Sequence, residues 1–186
     1  DQLKNRSKWV ASAQFDSLVT KVYDQVSQYL GLNPKGTYYA MYMFDTDEFN
    51  MGGCNKNLMY ININNTDFSE QWFARVFPHE LSHQIYEETL PNANHDLVLW
   101  GIVDEGLATY FENRFNQGTI AQSIGITPEQ YEWCLKNEQK ILELTLPLLS
   151  STDRKDEMVL RKKGGLLIGS PGQLNYFLGY RMIEKY

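Results

Sequence analysis

Phe77-Pro78-His79-Glu80-Leu81-Ser82-His83-Gln84-Ile85-Tyr86 is the stretch on which the reading of this chain turns. It contains H-E-x-x-H. On a helix, positions i and i+4 lie one turn apart on the same face. His79 and His83 can therefore reach one metal ion, at about 2.0–2.1 Å from each ring nitrogen. Glu80 lies beside the first ligand without binding the ion, placed to take a proton from metal-bound water. The chain has 3 histidines, and this motif uses two of them. Phe77, Leu81, Ile85 and Tyr86 are apolar, which predicts a partly buried helix. A buried His pair beside a Glu needs partners, and an ion would supply them.

Zinc chemistry of this kind takes three protein ligands and one open position. No third His follows at metzincin spacing. His95 sits in a loop-like PNANHD stretch. Glu105, in Val103-Asp104-Glu105-Gly106-Leu107-Ala108-Thr109-Tyr110-Phe111, is the better third ligand. A carboxylate on a core-facing helix is costly unless paired or metal-bound. Gly106 costs a helix about 1 kcal/mol against Ala, so its presence points to a close helix–helix approach, as two ligand helices sharing one ion would require.

HELSH followed by EGLATYF resembles the gluzincin metallopeptidases. Within that clan the chain is most similar to the small bacterial YjaZ-like "predicted zinc-dependent protease" family. The C-terminal Asn175-Tyr176-Phe177-Leu178-Gly179-Tyr180 is similar to that family's G-Y-x-x-G-Y signature, with Asn in place of the first Gly. The resemblance spans about Thr37 to Tyr186. It implies a zincin-like fold, Zn2+ bound by His79, His83 and Glu105, and Glu80 as base. The implied activity is cleavage of peptide bonds by zinc-bound water, with a peptide or protein as substrate. The alternatives are a catalytically inactive zincin-like binding or scaffold domain, or a hydrolase of a non-peptide amide or ester. Such a reaction also needs a donor for the oxyanion. In gluzincins this is commonly a Tyr or His of the C-terminal half. Tyr180 and Tyr176, i and i+4 on the last helix, are the candidates, with His95 and Tyr110 in reserve. Pro78 departs from the usual pattern, because Pro inside a helix removes a backbone bond and kinks it; either the helix bends there or it effectively begins near His79. Asp104 stands where gluzincins often have Asn; it is read either as support for a ligand imidazole or as a solvated carboxylate.

Around the motif, the expectation is α+β: an N-terminal helix, a small sheet, the active-site helix, then a mainly helical half. Phe15, Leu18, Val19, Val22, Val26, Tyr29 and Leu30 recur with helical period, predicting a helix from about Ser7 to Leu30 that stops at Gly31. Thr37–Phe44 and Leu58–Asn64 are strand candidates. The second is placed to form a cleft edge that pairs with extended substrate, and Gly52-Gly53 reads as a turn. Asp67 with Glu70, Thr127-Pro128 with Gln130, and Ser170-Pro171 with Gln173 carry the grammar of helix starts. The last predicts a helix from Pro171 to about Lys185. Another should run from about Leu97 to Phe115. Ser150 to Gly169 is hardest to read, and its Arg161-Lys162-Lys163 cluster reads as solvated surface.

At 186 residues the chain is expected to form one domain over 1–186. The formal charge of -6 makes it a poor nucleic-acid binder. The longest apolar run, Leu97 to Val103, is far too short for a membrane span. Cys54 and Cys134 are too few for a disulfide scaffold and are expected to be unpaired thiols. The first residue, Asp1, is expected to follow a removed leader or a trimmed segment, which favours a secreted or cell-surface protein over a cytoplasmic one.

Overall fold

The computed structural model describes residues 2–31, 39–43, 52–55, 58–90, 93–115 and 118–185. Side chains of 39–60, including Cys54, lie outside the described residues. The chain divides into two compact units, Asp1–Pro91 and Asn92–Tyr186.

In the first unit, α1 (Gln2–Val10) and α2 (Ala13–Leu30) replace the single helix expected from Ser7. The break falls at Ser12. Its backbone is extended (φ -95, ψ 151), and its hydroxyl accepts from the Phe15 amide at 3.3 Å. A serine in that role satisfies an amide that no helical carbonyl can reach. Gly31 ends α2 as read, in the left-handed conformation at φ 62. Phe15, Val22 and Val26 are the buried stripe of α2.

Three strands follow: β1 (Tyr39–Met43), β2 (Gly52–Asn55) and β3 (Leu58–Asn62). β3 pairs in parallel with β1 and antiparallel with β2. It is therefore the central strand. Both of its edges are used, so the expected pairing of this strand with an extended substrate is corrected. Gly52 and Gly53 lie in β2 rather than in a turn. α3 (Glu70–Thr89) is capped by Ser69, whose hydroxyl accepts from the Trp72 amide at 3.1 Å, and not by Asp67. It runs through Pro78 without ending there. Trp72, Phe73, Val76, Phe77, Leu81 and Ile85 are buried. Phe73 stacks on Phe77 at 5.2 Å and meets Trp9 of α1 edge-on at 5.4 Å. Arg6 holds α1 to this unit by donating to the carbonyls of Ile63 and Asn65 at 2.7 and 3.1 Å.

In the second unit, the regular elements among the described residues are all helices. α4 (Val98–Phe115), α5 (Ile120–Ile124), α6 (Pro128–Lys136) and α7 (Glu138–Thr145) lead into a 3-10 turn at Leu146–Leu148. α8 (Arg154–Arg161) and α9 (Leu174–Lys185) complete it. The Thr127 capping box is formed as read. α9 starts at Leu174 rather than at Pro171, because Gly172 and Gln173 turn to positive φ (92 and 54) ahead of it. Val98, Ile102, Ile124, Ile141, Leu160, Leu174 and Phe177 form the core, with Cys134 buried among them as a free thiol.

The expected α+β, zincin-like class is thus corrected to a mainly helical fold. The described strands are five, four and five residues long and make one small sheet. Helix-period apolar stripes and side-chain caps govern most of the remaining described chain.

Candidate functional site

α3 carries the histidine pair as the motif requires. The rings of His79 and His83 lie on one face, with centroids 4.9 Å apart and planes at 77°. His83 is 8% exposed, His79 is half-buried, and Glu80 is 8% exposed between them in sequence. The Ser82 hydroxyl donates to the His79 carbonyl at 2.8 Å. Burial of two imidazoles and a carboxylate within one turn is costly in an apolar setting. Gln84, next in the chain, is fully buried, and neither its amide nitrogen nor its oxygen has a hydrogen-bond partner among the described residues.

Glu105 belongs to α4 in the second unit and is 9% exposed. Arg161 of α8 donates to its Oε1 at 3.0 Å and to Glu157 Oε1 at 2.7 Å. The Arg161 guanidinium also stands 5.7 Å from the Tyr176 ring centroid. Glu105 is therefore not an isolated core carboxylate. Its charge has a counterion from the cluster expected to be solvated. Lys162 and Lys163 are exposed, as read, but Arg161 turns inward. Burial lowers the Arg161 pKa, and the neighbouring Glu105, Tyr176 and Glu157 outweigh it and raise it above the ordinary guanidinium value. Burial, reinforced by the Glu105 charge, raises the Tyr176 phenol well above its usual range.

The two tyrosines have different surroundings despite their shared spacing. Tyr176 faces Glu105 and Arg161. Tyr180 is pushed up to about 12, by burial first and by Glu184 second, and lies 6.5 Å from the ring of Tyr110. Of the reserves, His95 stacks on Trp100 at 4.3 Å and Tyr110 accepts from Arg114 at 3.4 Å. Asp104 is half-buried. Gly106 does mark a close helix crossing, but the crossing it makes is with α9 rather than the expected one between two ligand helices. A Cβ there would stand 2.3 Å from the Gly179 carbonyl carbon.

Sequence reading missed Arg161 and Glu112. Glu112 is 6% exposed, two turns along α4 from Glu105. The Glu157/Arg161 spacing of i, i+4 was the available signal for the first. The Glu105, Thr109, Glu112 spacing was the signal for the second, and Thr109 between them is fully buried with its hydroxyl donating to the Glu105 carbonyl.

The family model described as "Gliding motility protein GldB" matches residues 60–186. That is more than half of the chain, and the chain belongs to this family. No curated protein and no solved structure matches it. The match replaces the gluzincin and YjaZ-like assignment that the motifs suggested. With it, the metalloprotease reading is corrected: the family points to gliding motility and not to zinc-dependent cleavage of peptide bonds. The family's label also marks it as a lipoprotein family. Among the described residues, no helix is long and apolar enough to cross a membrane.

Proposed function

We propose that this chain serves gliding motility at the cell envelope, as a zinc-binding member of the GldB family. The observation that carries the motility role is the family match over residues 60–186. That span includes α3, α4, α8 and α9, which bear His79, Glu80, His83, Glu105, Arg161, Tyr176 and Tyr180.

The zinc assignment rests on donor chemistry. His79 and His83 share a helix face with their rings 4.9 Å apart, and two imidazoles with a carboxylate suit zinc better than calcium or magnesium. Glu105 is the proposed third ligand on the chemistry of its carboxylate, with the Arg161 contact meaning that burial cost alone does not require an ion there. Zinc bound there would supply a fixed positive centre and Lewis acid. Arg161, donating to Glu105 Oε1, holds that carboxylate in one orientation.

The test is genetic and analytical. A gliding host lacking the gene should lose colony spreading, and the wild-type gene should restore it. Full spreading of the deletion strain would overturn the motility role. Elemental analysis of the purified protein should give one zinc per chain, lost in His79→Ala and His83→Ala. An unchanged metal content in both variants would remove the zinc assignment and leave the motility role standing.

A further inference from the structure

The acidic chain carries an exposed basic face on its second unit. Arg154 and Lys155 open α8, and Lys162 and Lys163 follow its end. None of the four forms an ion pair among the described residues. The acids of the same helix are engaged elsewhere. Asp153 accepts from the Lys155 amide at 2.8 Å, Asp156 from the Ser151 hydroxyl at 2.6 Å, and Glu157 from Arg161. Arg154, Lys155 and Lys162 rim a groove of about 450 Å³ whose apolar lining comes from Met158 and Val159.

Beside this groove the chain 162–173 makes a fixed loop. The Gly164 amide donates to the Ser170 carbonyl at 2.9 Å, and Gln173 donates back to Arg161 at 3.2 Å. Gly165 lies so close to α8 that a Cβ would stand 2.3 Å from the Val159 carbonyl oxygen. Leu166 packs on the core, while Ile168 is 95% exposed. Water is a poor solvent for a fully exposed isoleucine. An exposed apolar residue on a loop that directly follows a basic helix is instead a pairing that suits a bilayer interface, with the apolar side chain in the acyl boundary and the cations at the phosphates.

We propose that α8 and the 162–169 loop form a docking surface for an anionic phospholipid bilayer, with Ile168 entering the interface and the four cations meeting lipid phosphates. This inference stands apart from the zinc site and does not depend on it.

The experiment is sedimentation of the full chain with phosphatidylcholine vesicles, with and without phosphatidylglycerol. Binding is expected only to the anionic vesicles and should weaken with salt. Lys162→Gln with Lys163→Gln should weaken it roughly 25-fold, at about fivefold per charge. Ile168→Asp should weaken it about tenfold or more, and Ile168→Trp should strengthen it. All these positions are exposed, and an unchanged melting temperature would verify that each variant folds. Equal binding to neutral vesicles, no binding to either, or indifference to Ile168→Asp would overturn the proposal. Binding of soluble polyglutamate without vesicle binding would overturn it in favour of an acidic protein partner.

Discussion

At the scale of single residues, the most consequential contact is Arg161 to Glu105 at 3.0 Å. Removing one member of a largely buried ion pair leaves the other charge without its counterion, and that costs more than the pair itself contributes. Arg161→Met should lower unfolding free energy by about 2 kcal/mol in urea titration, with Arg161's one-third exposure limiting the loss. A Glu105→Gln, Arg161→Met double variant should recover part of it. Cys134 gives a prediction of a different kind. Burial pushes its thiol from 9.0 up to about 12. The folded state then holds its proton over a range in which the unfolded chain has released it. The sign of the linkage follows: this contribution is fully present below pH 9 and is lost as pH rises toward 12. Cys134→Ala should flatten the decline in stability between those limits, measured by denaturant unfolding at stepped pH, although it costs packing at every pH.

At the scale of elements, α4 and α9 are bound together by glycine. A Cβ on Gly179 would stand 2.0 Å from the Ile102 carbonyl oxygen and 2.6 Å from the Gly106 Cα. Both obstacles are backbone and cannot rotate away. Gly179→Ala should therefore destabilise the chain by about 3 kcal/mol through overpacking. Gly101, on the same α4, is the control. Among the described residues a Cβ there meets only Glu157 Oε1 at 3.9 Å, so Gly101→Ala should stabilise by about 0.5–1 kcal/mol through helix propensity. The pair of melting curves should move in opposite directions. Gly106 was legible in the sequence as a point of close approach, because a helix glycine needs a reason. Its partner was not, since proximity in space leaves no trace in spacing. The same limit explains the other misses. Ser12 looks like any polar residue in a helical stripe until its hydroxyl is seen to accept from Phe15. Arg161 reads as solvated beside two lysines because its long side chain chooses its direction only when Glu105 is near. The histidine pair was legible for the opposite reason: the i, i+4 geometry is local and needs nothing from the rest of the chain.

On the scale of the whole molecule, the fold class was the reading that local signals misjudged. Aromatic, β-prone stretches and the motif suggested an α+β, zincin-like fold around a small sheet, but the described strands are short and helices dominate, so the class is mainly helical. Motif resemblance likewise led to a peptidase, whereas the pattern over residues 60–186 belongs to the gliding motility family. Whether zinc is held by the folded chain is then a question of global stability, because a ligand that binds only the native state stabilises it by mass action. At 100 times its dissociation constant, zinc should add about 2.7 kcal/mol. For a chain of 186 residues, this raises the melting temperature by roughly 5–10 °C. The wild-type protein should lose that increment in EDTA and regain it when zinc is restored, while His79→Ala and His83→Ala should melt at one temperature under all three conditions. Glu105→Gln separates the two roles of its carboxylate. If Glu105 is a zinc ligand as well as the partner of Arg161, this variant should show a lower melting temperature in EDTA and also a smaller gain from zinc. A lower baseline with the full zinc increment would assign Glu105 to the ion pair alone and direct the search for a third ligand to other carboxylates.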